Sequence, residues 1–424
     1  MNELVYWIWL SLCCTPDTST FSKLIYDFTG PKDIFEAEEK EISRSVGFKN
    51  SDRSRLFDKD LDKAKSIYDF CVKHKVGILT YADPQYPNSL RDISTPPVLL
   101  YYRGILPDFN NRFFVAAVGT RSLSDYGRRN SFKICFDLAS AGAVIVSGMA
   151  MGIDGVSLAG ALEAGGNTVA ILGSGIDVCY PAQHLTLARE IVKNGCVMTE
   201  YAPGTPPNKF NFPKRNRIIS GLCSATIVFE GRERSGSLIT ARYAKEQGRT
   251  VFALPGNVGT AHSEASGVLL KNGGLICTKA EDVLDPFLEV YGSKINPFNM
   301  SKTFGVNIMN SLTKYGVAAT SQGDSIFVPA RSTPKETNKV QAKKTEESVS
   351  AQKENKTESD ISNAGLSREA MKIYKKIPLK GSCSVESLVD DEIGLRDVMK
   401  ALLKLEINHF VVMLPGEMVS RKFK

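Results

Sequence analysis

FFVAAVGTRSLSDYGRRNSFKICFDLASAGAVIVSGMAMGIDGVSLAGALEAGGNTVAIL, residues 113–172, is the stretch that decides the fold. Continuous apolar runs at Phe113–Val118, Ala143–Val146 and Thr168–Leu172 are separated by segments of helical periodicity, Asp125–Ala141 and Asp154–Ala164. The alternation continues downstream. Further apolar runs occur at Cys196–Met198, Ala225–Phe229, Val251–Leu254 and Leu275–Cys277, with helical patterns at Ala182–Lys193 and Ser237–Gln247. Strands without a polar face, alternating with amphipathic helices, require a parallel sheet covered on both sides. The fold class read from this pattern is α/β, a Rossmann-like doubly wound parallel sheet core.

The rest of the chain divides around that core. At 424 residues it exceeds the roughly 250–300 residues at which single cores stop growing. Residues 1–75 read as an N-terminal, mainly helical domain, 76–292 as the core, 293–364 as a connection and 365–424 as a small C-terminal domain. Val76–Thr80 and Val98–Tyr102 look like strands leading into the core. Residues 331–360 hold no aromatic residue and almost nothing that could be buried, so packing cannot offset their ordering entropy and they read as a flexible linker. In the tail, helical stretches Ser367–Ile377, Val385–Glu392 and Leu395–Leu405 precede a hairpin around Pro415-Gly416, the outline of a winged helix.

Composition excludes several classes. Hydrophobic residues make up 42% of the chain, which rules out wholesale disorder. Nine cysteines without a CxxC pair argue against a disulfide framework or a zinc ribbon and fit a reducing, cytoplasmic setting. The apolar start Leu4–Cys14 is too short to span a bilayer and reads as a buried helix, so no membrane association is expected. The net charge of +7 says little by itself, but its placement is uneven. Tyr201–Phe229 contains Lys209, Lys214, Arg215 and Arg217 and no acidic residue, with Phe210 and Phe212 interleaved in KFNFPKRNR. Cations that meet phosphates, alternating with rings that stack on bases, suit a single-stranded nucleic acid. A solvated basic turn carrying two core phenylalanines accounts for the same pattern.

In open parallel sheets, ligands gather at the carboxyl ends of the strands. Gly119-Thr120-Arg121 follows the first core run, offering close backbone approach, a hydroxyl and a guanidinium for phosphate. Ser147-Gly148 opens a second glycine-rich loop ending at Asp154, which reads as a helix cap ahead of a catalytic acid. Ser235, Gly236 and Ser237 open another helix and could also bind phosphate, and Pro213 is expected to start the helix that carries the basic run. There is no Gly-Lys pair for a Walker loop and no G-x-G-x-x-G, so ATP hydrolysis and ordinary dinucleotide binding lose their signatures, and no cofactor is expected. The four histidines are scattered and none makes a metal pair at helical spacing. Cys135, Cys196, Cys223 and Cys277 lie in apolar runs and read as core fillers. No metal site, catalytic residue or enzymatic activity is expected.

The ordered set VGTR…SDYG, SGMAMGIDGVSLAGAL, ILGSGIDVCYP, TEYAPGTPP, FPKRNRIISGL, RSGSLITARYAKEQGR and LPGN resembles the DNA-processing protein A (DprA/Smf) family. YADPQYPNSLRDISTPPVLLYYRG upstream is similar as well, and the tail resembles a winged-helix module found in many members. This resemblance implies a cytoplasmic protein that binds single-stranded DNA without catalysis. It further implies protection of incoming strands in natural transformation, loading of the RecA recombinase, and a homodimer formed through the core. It carries phosphate and DNA contacts onto Gly119, Thr120 and Arg121 and onto Lys214, Arg215 and Asn216. Lys209, Phe210 and Phe212 are contact candidates from composition.

Two departures bear on function. The family's N-terminal helix-hairpin-helix glycine pair is replaced by Cys13-Cys14-Thr15-Pro16-Asp17-Thr18, and without glycine that turn is not expected to approach a DNA backbone. The family's Ser-x-Gly-x-Asn element appears as Ser263-Glu264-Ala265-Ser266-Gly267. The competing reading is a Rossmann-fold sensor or hydrolase of a nucleotide derivative such as a nucleoside phosphate, with Glu200 and Glu230 at strand ends as its carboxylates. For the tail, a partner or packing role is favoured over duplex binding, because its third helical stretch mixes Arg396, Lys400 and Lys404 with Asp397 and Glu406.

Overall fold

The computed structural model describes residues 2–48, 50–300, 305–317, 368–378, 383–389, 410–414 and 418–421, with short pieces between the last of these. The chain forms two compact units, Met1–Asp324 and Ser325–Lys424.

The first unit opens with helices α1 (Glu3–Cys13), α2 (Thr20–Asp27), α3 (Pro31–Glu36), α4 (Glu39–Val46), α5 (Arg53–Phe57) and α6 (Asp62–Lys73). The apolar start thus forms α1, whose Asn2 side chain accepts from the Leu4 amide and caps it. Trp7, Ile8, Trp9 and Leu10 on successive faces are all buried, so α1 is the axis around which the others pack. Asp52 pins the α1–α2 turn, accepting from the Thr15 amide at 3.0 Å, the Thr15 hydroxyl at 2.6 Å and the Thr20 hydroxyl at 2.6 Å.

Strands β1 (Gly77–Thr80), β2 (Leu99–Gly104), β3 (Phe114–Val118), β4 (Val144–Ser147), β5 (Thr168–Ile171), β6 (Cys196–Thr199), β7 (Ala225–Val228), β8 (Thr250–Ala253) and β9 (Leu275–Ile276) form one sheet. Its order among the described residues is β1-β2-β6-β5-β4-β3-β7-β8-β9. From β6 to β9 every pairing is parallel, while β2 joins β6, and β1 joins β2, antiparallel. Each strand of the expected parallel set is present within two residues of its apolar run. The mixed α/β architecture with a large, mostly parallel sheet is therefore as the sequence pattern required, extended by one antiparallel pair.

Helices α7 (Asn88–Arg91), α8 (Asp125–Ser140), α9 (Ile153–Glu163), α10 (Leu185–Asn194), α11 (Asn211–Gly221), α12 (Gly236–Glu246) and α13 (Glu264–Lys271) cover the sheet. Alternate residues of β3 supply the two faces. Phe114, Ala116 and Val118 pack with Ile218, Ile219, Ala241 and Leu269, whereas Val115 and Ala117 pack with Ile134, Leu138 and Ile153. From β3 the chain builds outward through β4, β5 and β6, then crosses back to place β7 on the other side of β3. The crevice at the carboxyl ends of β3 and β7 is the topological switch point, the usual ligand position in such sheets.

Residues 293–300 and 305–317, expected within the connection, pack on the core instead. Ile295 is buried, the Asn296 amide donates to the Ala141 carbonyl at 2.8 Å, and Lys314 pairs with Glu163 at 3.0 Å. Sparse patterning hid this, since the buried Ile295, Leu312, Tyr315 and Val317 are spread through a polar segment with only the short helix Ile308–Lys314. The linker at 331–360 lies outside the described residues.

The second unit contains a helix at Arg368–Lys376 and strands β10 (Cys383–Ser384), β11 (Val411–Leu414) and β12 (Met418–Arg421), ordered β10-β12-β11 and antiparallel. Ile373, Ile377, Leu402, Leu405, Val411 and Val419 form its core. The strands flanking the expected hairpin are thus paired. The Pro415-Gly416 turn itself, with Arg396, Lys400 and Lys404, lies outside the described residues.

A buried ion pair inside the core fixes α11 to the end of β6, and Asp17 of the helical N-terminus approaches the same arginine at 3.7 Å. Arg217 of α11 donates to Glu200 through two nitrogens at 3.0 and 2.7 Å. The Arg217→Ala variant leaves Glu200 buried and unpaired and is expected to lower unfolding stability by about 3–5 kcal/mol in urea titrations. A loss under about 1 kcal/mol would be the behaviour of a solvent-exposed pair and would contradict the buried geometry.

Candidate nucleic-acid interface

The loops at the carboxyl edge of the sheet carry the site. After β3, Gly119 lies so close to α9 that a side-chain carbon there would come within 2.6 Å of Ile153. The Thr120 amide donates to the Glu230 carbonyl at 2.8 Å and its carbonyl accepts from the Ile153 amide at 3.1 Å, which fixes the loop to β7 and α9. Arg121 is left exposed, its guanidinium 5.7 Å from the centre of the Phe212 ring.

The loop after β4 is shaped from within. Ser147 is buried and its hydroxyl donates to the Ala117 carbonyl at 2.6 Å. Asp154 was expected to cap its own helix; instead Gly152 holds that position and the Asp154 carboxylate accepts the Gly148 and Ala150 amides at 3.1 and 3.3 Å. These amides are therefore satisfied by the protein's own anion. Burial raises the Asp154 carboxyl above its ordinary value, opposed by the Arg215 charge and the two amides. Met149 takes a left-handed conformation, φ 54°, and His184 holds its carbonyl through Nδ1 at 2.9 Å. Burial pushes the His184 imidazole down, favouring the neutral ring.

Helix α11 begins at Asn211, two residues earlier than Pro213 suggested. It separates the cations of the basic run. Arg215 is buried, and its guanidinium donates to the Gly148 carbonyl at 3.0 Å and to the Ile171 carbonyl, so it ties the helix to the ends of β4 and β5. Burial, with the neighbouring Arg121 charge adding and Asp154 opposing, pulls its pKa down to about 10. It stays charged at neutral pH. Arg217 faces Glu200 and Asp17. Lys209 and Lys214, like Arg121, form no salt bridge among the described residues. Phe210 is 65% exposed beneath the Lys209 ammonium, which lies 5.2 Å from its ring. The Asn216 amide donates to the Gly236 carbonyl at 3.3 Å, linking α11 to the start of α12.

After β7, Ser235 stands at the N-cap of α12 and its hydroxyl is 2.7 Å from that of Ser237. Gly236 between them is exposed. Glu230 is buried and accepts from the amide and hydroxyl of Ser124. Among the described residues no cluster of three His, Cys, Asp or Glu could hold a metal ion, and no helix is long and apolar enough to cross a membrane.

The structure thus brings Gly119, Thr120, Arg121, Lys209, Phe210, Phe212, Lys214 and Asn216, with Ser235–Ser237, to one edge. It turns the polar groups of Ser147, Gly148 and Arg215 inward, where they set the shape of that edge rather than its outer surface. Sequence reasoning missed Tyr180, whose ring lies 5.4 Å from that of Phe212. It also missed the partner of the Cys13–Thr18 turn. That turn faces the protein, with Asp17 accepting from the Tyr243 hydroxyl at 2.7 Å and lying 3.7 Å from Arg217. No local signal marks either contact, because the partners are 32 to 226 residues apart.

The family model for DNA recombination-mediator protein A matches residues 77–288. DNA processing protein DprA of Streptococcus pneumoniae is 44% identical over 205 residues, which cover 48% of this chain and 72% of that protein. The DNA processing protein DprA of Bacillus subtilis is 37% identical over 223 residues, covering 53% and 75%. The X-ray structure of DNA processing protein A from Streptococcus pneumoniae matches with a TM-score of 0.59 at 35% identity, covering 67% of this chain and 98% of that one. The matched span contains the sheet, the switch-point loops and α11 together, and the chain belongs to the DNA recombination-mediator protein A family.

Proposed function

We propose that this protein binds single-stranded DNA along the carboxyl edge of its sheet, and that it does so as a recombination mediator in natural transformation. The observation that carries the reading is the pairing of the cations Arg121 and Lys209 with the rings of Phe212 and Phe210, with the half-exposed Lys214 on the same helix as Phe212. Cations meet the backbone phosphates and rings stack on unpaired bases, a combination that duplex DNA does not reward. Gly119 and Thr120 supply close backbone approach, and Ser235, Gly236 and Ser237 place a helix N-terminus beside the path.

Protecting incoming strands and passing them to a RecA recombinase in the cytoplasm is the role this reading assigns, with no catalysed step. Glu200 and Glu230, the carboxylates a hydrolase would need, are bound to Arg217 and Ser124. The core is Rossmann-like in this account, and the C-terminal unit is a winged helix serving a partner or packing role. A homodimer is supported by the open sheet edge at β9, where Leu275 and Ile276 are 45% and 58% exposed.

Fluorescent oligo-dT titrated across a salt series tests the site. Wild type is expected to prefer the single strand to duplex, with a negative salt slope that Arg121→Ala and Lys214→Ala each make shallower by about 0.7. Absence of binding at low salt, or slopes untouched by both variants, would sink the reading. Phe210→Ala is expected to weaken binding with the slope unchanged, since stacking releases no counterions. For the dimer, a Leu275→Asp and Ile276→Asp double variant is expected to sediment as a monomer where wild type sediments as a dimer; equal masses would remove β9 from the interface.

A further inference from the structure

We infer that Tyr180 is a further base-stacking residue, extending the single-strand path from α11 onto the loop that follows β5. The inference rests on the single-strand reading and goes beyond the residues assigned to it. Phe212 is only half-exposed. It lies against Gly173, where an added side-chain carbon would come within 2.7 Å of the ring, and the guanidinium of Arg215 lies 5.9 Å from its centre. Tyr180 sits beside it with ring centres 5.4 Å apart and planes inclined by 31°, and is itself 41% exposed. Its hydroxyl forms no hydrogen bond among the described residues, so no polar contact within the protein accounts for its position at the edge. Arg121, from the loop after β3, brings an exposed cation to 5.7 Å from the centre of that ring. An aromatic surface with a free polar tip, next to a second ring and an unpaired guanidinium, matches the needs of one nucleotide: a face for its base and a charge for its phosphate.

The test uses the full chain, with Tyr180→Leu and Tyr180→Phe variants and an oligo-dT carrying 5-iododeoxyuridine. Tyr180→Leu is expected to weaken binding about 5- to 150-fold without changing the salt slope, the signature of a lost stack rather than a lost phosphate contact. Tyr180→Phe is expected to keep wild-type affinity, and ultraviolet light is expected to crosslink the iodinated base to Tyr180 in wild type. Wild-type affinity in Tyr180→Leu overturns the inference. So does a weakened Tyr180→Leu when no crosslink maps to Tyr180, because the ring then serves only to pack Phe212. If wild type fails to bind oligo-dT at low salt, it is the single-strand reading that falls.

Discussion

Arg215 is the side chain on which the arrangement of the site depends. A guanidinium removed from water is costly unless its donors are satisfied, and here they reach the carbonyls of Gly148 and Ile171 at the ends of neighbouring strands. The same contact fixes the height and rotation of α11 over the sheet. Residues on either side of Arg215 in sequence are thereby aimed elsewhere: Lys214 remains half-exposed and unpaired, and Asn216 reaches α12. Asp154 completes the arrangement from the opposite side, gathering the Gly148 and Ala150 amides so that the loop presents a fixed outline.

The same helix is braced on another flank. Arg217 lies about 200° around α11 from Arg215, given 100° per residue, and meets Glu200 and the turn at Asp17. The turn whose sequence lacks glycine has thus become a strut. Its left-handed Asp17, φ 62°, holds α11 through Arg217 and α12 through Tyr243. Helices held from two sides lose little further freedom when a ligand binds, which favours affinity through preorganisation.

Much of this was legible in the sequence because the physics is local. Runs such as Phe113–Val118 and Ala143–Val146 have no polar alternate positions, so they could only be strands covered on both faces. The acid-free window marked the basic helix for the same reason: charge composition is visible without coordinates. The division of labour within KRNR was not legible. Lys214 and Arg215 are chemically alike in a sequence, and only the packing of α11 decides that one faces solvent and the other the strand ends. Sheet order, the antiparallel β1–β2 pair, the Tyr180–Phe212 contact and the anchoring of Ile295 and Lys314 are long-range in the same sense.

On the proposed path, single-stranded DNA follows the carboxyl edge of the sheet at the switch point. Amide hydrogen exchange, measured with and without saturating oligo-dT, tests it most directly. Slowed exchange is expected at 119–122 and 209–216, with α1–α6 little changed. Slowing confined to residues 2–74 or 368–421, with 119–122 and 209–216 unaffected, would contradict it.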